Sequence, residues 1–232
     1  MQTDPRRDLA ACIRMLEANK ILDYNGHCSV RHSDSAFYVN IGKATRATAR
    51  PEDICLVTFE GEVLSGNGTP PLEFHLHAGI YKARKDVNAV IHAHSKWSTY
   101  LTMARQDYLP VFAQGSLLYP MPILDTPNSI NTKGMGDQLA QVLRERPACL
   151  LKSHGAVVVG STLTEAFALV NYLEENAERQ YHAQMIGTPY QFSAEERATS
   201  HKSAALIFHT CATTEYSSTR GSLVMWICKG SS

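Results

Sequence analysis

Long apolar runs, paired cysteines and blocks of like charge are all missing from this 232-residue sequence. No segment approaches the roughly 20 consecutive apolar residues of a membrane span, and the opening Met-Gln-Thr-Asp-Pro-Arg-Arg lacks the apolar core of a signal peptide. No membrane partner is expected, and a cytoplasmic location is. The six cysteines (Cys12, Cys28, Cys55, Cys149, Cys211 and Cys228) form no CxxC pair and no small-scaffold spacing. They read as reduced thiols, mostly packed in a core. Twenty-two acidic and 22 basic residues are interspersed and cancel to zero formal charge, which argues against nucleic acid as a partner.

What is present is a globular composition, 44% hydrophobic and 19% charged, with no internal repeat and no linker. Residues 1–193 are expected to form one domain and 194–232 a tail that is a docking arm, an extra strand pair or disorder. Asp4 and Pro5 are suited to open a helix whose apolar stripe is Leu9, Cys12, Ile13 and Leu16. Strands are expected at Phe37–Ile41, Ile54–Phe59, Val63–Leu64, Val87–His94, Cys149–Leu151 and Ala156–Val159. Two more are expected within Tyr108–Leu124, and a hairpin turn at Glu60-Gly61. Further helices follow Leu72, Ser95 and Met135. The last has a Thr162/Glu165 capping box and one apolar face from Leu163 to Tyr181. This order predicts an α/β sandwich around a mostly antiparallel sheet.

Histidines carry the chemistry. His92 and His94 stand two apart in Val-Ile-His-Ala-His, and on a strand positions i and i+2 share a face, so both imidazoles can converge on one ion. The alternative is a pair of histidines exposed on a sheet. A second pair, His75 and His77, lies in a helical pattern, where i and i+2 point roughly 200° apart and cannot share an ion. These two read as individual surface residues or as supports behind the site. His154 sits at a strand break beside Gly155, where the backbone can open towards a cleft. Glu73 opens the second helix, as a helix-end charge or as a carboxylate that moves protons.

In this order, the Gly26–Ser29 turn, Glu73 opening a helix, His92-Ala93-His94, and His154-Gly155 before a capped helix resemble the class II aldolase/adducin family over roughly residues 5–190. The resemblance implies a three-layer α/β/α sandwich, one divalent ion per subunit (Mn²⁺ or Zn²⁺) on His92, His94 and His154, and Glu73 as acid/base. It also implies a homotetramer with active sites between subunits.

Departures from the pattern narrow the substrate. Sugar-phosphate enzymes of the family hold phosphate with Gly-Asn-x-Ser, a Thr-Gly or Ser-Gly turn, and a Ser-Ser pair before the glutamate. Here those positions are Gly26-His27-Cys28-Ser29, Ile41-Gly42 and Pro71-Leu72, and Gln114 falls where the sugar aldolases place a tyrosine. The Gly-His-x-Ser turn is similar to the family's decarboxylases of hydroxylated aromatic or heteroaromatic acids. The expected activity is therefore decarboxylation of a non-phosphorylated carboxylate, with His27, Ser29 and Arg31 as substrate contacts. Lys43 and Arg46 read as solvated loop charges. The alternatives are an aldolase or epimerase acting on a sugar or sugar phosphate, and a non-catalytic adducin-like binding module.

Overall fold

The computed structural model of the protein describes residues 4–211. Asp4 accepts a hydrogen bond from the Arg6 N–H (3.0 Å) and caps α1 (Pro5–Ala18), whose Leu9, Cys12, Ile13 and Leu16 are buried as their spacing predicts. The other helices are α2 (Phe74–Ala83), α3 (Lys96–Met103), α4 (Lys133–Leu143), α5 (Leu163–Ile186) and α6 (Ala194–Cys211). The strands are β1 (His27–Arg31), β2 (Ala36–Asn40), β3 (Ile54–Thr58), β4 (Val63–Ser65), β5 (Ala89–Ala93), β6 (Ile123–Leu124), β7 (Ala148–Leu151) and β8 (Gly155–Gly160). They form one sheet in the order β4-β3-β2-β1-β5-β8-β7-β6, antiparallel at every pairing except β6 with β7.

Alternation along the central strands builds two cores. Cys28, Ile91, Ala156 and Val158 pack with α1, α3 and α5 on one face. Phe37, Val90, Cys149 and Val157 pack with α2 and α4 on the other. The result is the expected three-layer α/β/α sandwich. Among the described residues, no helix is long and apolar enough to cross a membrane.

The structure corrects the sequence reading at four places. His27, Cys28 and Ser29, expected within a Gly26–Ser29 turn, lie in strand β1. Both faces are buried there, and the one towards α2 carries the polar His27 and Ser29, so no alternation of burial is visible in the sequence. The two strands expected within Tyr108–Leu124 are absent apart from β6. Instead, Asn176 and Gln180 of α5 bind the backbone of Asp107, Leu109, Val111 and Phe112 at 2.7–3.1 Å, meeting the needs that a strand ladder would have met. Helix α2 begins at Phe74, which leaves Leu72 outside it and 82% exposed. In the tail, Ala194–Cys211 is helical, and the apolar cluster Leu223–Ile227 lies outside the described residues.

Candidate metal centre

Four side chains converge where β5, the β7–β8 turn and the start of α2 meet. His92 lies on β5, buried, with His27 of β1 and Val157 of β8 as its cross-strand neighbours. His94 follows two residues on, just beyond the end of β5. His154 closes the tight β7–β8 turn. There Ser153 adopts a left-handed backbone (φ 53°) and donates its N–H to Thr102 Oγ1 at 3.0 Å. A side chain on the following Gly155 would collide with the carbonyl oxygen of Ala93, so glycine is what lets this turn close beside β5.

Glu73 occupies the N-cap position of α2 but does not cap it. Its carboxylate turns inward instead and accepts the Ile130 N–H at 2.7 Å.

His92 Nε2 lies 3.2 Å from His94 Nε2, which lies 3.1 Å from His154 Nε2. Glu73 Oε2 is 3.4 Å from His92 Nε2, and Oε1 is 3.7 Å from His154 Nε2. Two ligands placed about 2.0–2.1 Å from a shared tetrahedral ion stand about 3.3 Å apart, close to these separations.

The protons point the same way. His92 Nδ1 faces the Ala156 carbonyl at 3.1 Å, and His94 Nδ1 faces both carboxylate oxygens of Asp23 at 3.1 Å. Each Nδ1 must therefore carry the proton, which leaves two bare Nε2 lone pairs facing each other. A cation between them resolves that conflict, and the Asp23 and Ala156 contacts are the outer supports that ligating histidines commonly have. Burial, with the neighbouring His92 imidazole, lowers His154 to about 4, which keeps it in the neutral form that ligates. The donor set therefore suits one divalent ion, with Glu73 beside the three histidines.

The residues expected at the substrate separate. His27 is at the centre, with Nε2 3.5 Å from Glu73 Oε2. Ser29 is not free: it is fully buried, its hydroxyl held between His77 Nδ1 (2.6 Å) and the Tyr81 hydroxyl (2.8 Å). Arg31 binds the carbonyls of Val87, Tyr81 and Arg84 at the C-terminal end of α2. That is about 15 Å of helix away from Glu73.

Arg46, expected in solvent, is buried; its guanidinium binds the carbonyls of Gly26 and Ala44 and holds the loop before β1. Lys43 is exposed. His75 and His77 do not share a site, as their helical spacing implies, but His77 is fully buried against His27 rather than at the surface. Sequence reasoning missed Asp23 and Tyr81. An aspartate before Asn25-Gly26 looks like ordinary turn chemistry, and a tyrosine on an apolar helix face looks like core.

The model of the class II aldolase and adducin N-terminal domain matches residues 7–181, and the chain belongs to that family. It is therefore placed among metal-dependent lyases. It is similar to L-fuculose phosphate aldolase of Methanocaldococcus jannaschii, 27% identical over 75% of this chain and 94% of that protein. It also resembles the decarboxylase NovR of Streptomyces niveus, 34% identical over 71% of this chain and 62% of that one. The solved L-fuculose-1-phosphate aldolase of Thermus thermophilus superposes with a TM-score of 0.67 at 27% identity, covering 76% of this chain and 93% of that one. Sugar-phosphate aldolases are the commoner relatives.

Proposed function

We propose that this protein decarboxylates a non-phosphorylated, hydroxylated aromatic or heteroaromatic acid. In this reading His92, His94 and His154 hold one Mn²⁺ or Zn²⁺ per subunit, and Glu73 is the acid/base. The observation that carries the reading is that, beside a donor set able to hold a metal ion, the groups that would bind a phosphate are engaged elsewhere or lacking. Ser29 is enclosed by His77 and Tyr81, and the Gly42 N–H is donated to the Thr69 carbonyl at 3.1 Å. Pro71 has no N–H, and neither it nor Leu72 has a hydroxyl. A buried phosphate there would forgo several charge-assisted hydrogen bonds, each worth about 1.5–3 kcal/mol. The 34% identity to NovR supports the same branch.

A bound ion would supply a Lewis acid for the negative charge left as CO₂ departs. Glu73, kept a carboxylate in part by the Ile130 N–H, takes the proton of the substrate hydroxyl and returns it to the carbon that loses CO₂, so the proton count balances. His27 presents its Nε2 edge beside that carboxylate. The partly exposed edges of His94 and His154 leave the side by which substrate enters.

A homotetramer with centres between subunits belongs to the same reading, as does a cytoplasmic location. The exposed apolar side chains Leu72 and Tyr24, next to Glu73 and Asp23, support the assembly. The second reading, an aldolase on a sugar phosphate, is favoured by the commoner relatives. Retention of all three histidines and Glu73 argues against a non-catalytic module. Hydroxyaromatic acids and ketose phosphates assayed side by side with Mn²⁺ or Zn²⁺ separate the readings. CO₂ release from an aromatic acid is expected; ketose phosphate cleavage with no CO₂ from any acid tried would overturn the proposal.

A further inference from the structure

Behind the candidate ligands runs a buried line of polar groups that the metal set does not use. The Tyr81 hydroxyl is 2.8 Å from Ser29 Oγ, and Ser29 Oγ is 2.6 Å from His77 Nδ1. His77 Nε2 is 2.7 Å from His27 Nδ1, and His27 Nε2 is 3.5 Å from Glu73 Oε2. All four residues before Glu73 are at most 1% exposed. Phe37 stacks on the His77 ring at 5.8 Å and Arg31 lies over the Tyr81 ring at 4.7 Å, so packing on both sides fixes these rings in place.

A neutral imidazole has one N–H and one bare nitrogen, so two such rings in line can order their protons in only two ways, and the two hydroxyls turn to match. In one, every donor points towards the metal centre: Tyr81 to Ser29, Ser29 to His77 Nδ1, His77 Nε2–H to His27 Nδ1, and His27 Nε2–H to the carboxylate. In the other, both rings are reversed and Ser29 accepts from His77. The bare Nε2 of His27 then faces the Glu73 oxygen, two acceptors in a buried place with no proton between them. At 3.5 Å the last link is longer than a normal hydrogen bond, but the electrostatic preference for N–H over lone pair is the same.

We propose that His77 is a positioning residue for the acid/base: held by Ser29 and Tyr81 on one side, it donates to His27 Nδ1 on the other and keeps this ring, whose Nε2–H the Glu73 carboxylate selects, aimed at Glu73 and the group reacting beside it. The inference rests on Glu73 being the acid/base, as read above, and not on which substrate it serves.

The test is ¹⁵N-histidine NMR of the zinc-loaded protein at neutral pH, with the His27 signals assigned by their loss in His27→Gln. Wild type is expected to show protonated Nε2 and bare Nδ1 on His27. In His77→Phe the donor to His27 Nδ1 is gone, so the Nδ1 signal should move to the position of an unbonded nitrogen and the ring signals should broaden, with Nε2–H kept and the zinc content unchanged. His77→Gln keeps an amide N–H there and should restore the wild-type Nδ1 signal. Ser29→Ala, which removes a partner of His77 Nδ1, should shift the His27 signals in the same direction and serves if His77→Phe does not fold.

On an acid active in the CO₂ assay, His77→Phe should lower kcat by about 10–100-fold with little change in KM, and His77→Gln should recover most of it. An Nδ1–H His27 in wild type, an unmoved His27 Nδ1 signal in the variants, or an unchanged kcat would each overturn the inference. A negative CO₂ screen with the tautomer as stated would overturn the substrate reading alone.

Discussion

Glu73 sits among His27, His92 and His154 with one oxygen on the Ile130 N–H. Burial alone would raise its pKa, but the contacts with His27 and His92 outweigh burial and hold it below the usual carboxylate range. It therefore starts as a base. Glu73→Gln keeps the shape and can still accept the Ile130 N–H, so metal content should persist while turnover falls about 10²–10⁴-fold. Near-normal kcat would return Glu73 to a plain helix-end charge. His94→Ala, by contrast, should lose both metal and activity; elemental analysis showing a full complement of metal would place the ligands elsewhere.

The buried imidazoles also set a pH dependence. Burial lowers His27 from 6.5 to about 4 and lowers His77 well below 6.5. Unfolding therefore takes up protons below about pH 6.5. Their contribution is fully present above pH 6.5 and is lost as pH falls towards 4, by up to about 1.4 kcal/mol per pH unit for each. Urea unfolding of the metal-stripped protein across this range should show stability falling with pH, and a flat profile would contradict the burial of these rings.

At the scale of elements, α2 matters most because it carries both Glu73 and His77. Its position depends on close packing against α4, where a side chain on Gly136 would collide with the carbonyl of His75. Gly136→Ala should therefore push the helices apart, at about 1–3 kcal/mol, and reduce turnover by moving Glu73. Gly134→Ala, on the same helix with nothing within 4 Å of the added carbon, is the control and should not destabilise. Equal stability of the two variants would show that α2 and α4 do not meet as described. Two helix starts were legible: Asp4 and Thr162 cap as short polar residues before apolar stripes do, and Thr132, not singled out in the sequence, caps α4 in the same way. The segment before β6 was not legible, because its backbone partners are Asn176 and Gln180, more than 60 positions away.

For the whole molecule, the centre joins β5, the β7–β8 turn and α2, so a bound ion ties together parts of the chain more than 80 residues apart. Removing metal with a chelator should lower the melting temperature, and Zn²⁺ restored to 100 times its Kd should return about 2.7 kcal/mol. A melting temperature indifferent to both treatments would exclude a metal held by these four groups.

The sequence by itself determined an α/β sandwich around a mostly antiparallel sheet and singled out Glu73, His92, His94 and His154 as candidates. The sandwich rests on periodicity and the His92/His94 pair on i, i+2 geometry, which are local; the three layers and the roles of the four residues came with the family resemblance. Only the tertiary structure decided what His27, Ser29, His77, Arg31 and Arg46 do. Each is polar and each is buried or engaged by groups distant in sequence, and a polar residue carries no periodic sign of burial. Whether such a residue faces water, a carbonyl or another imidazole depends on which strands become neighbours. Here the pairing of β1 with β5, under α2, placed His27 beside Glu73 and enclosed Ser29 behind it.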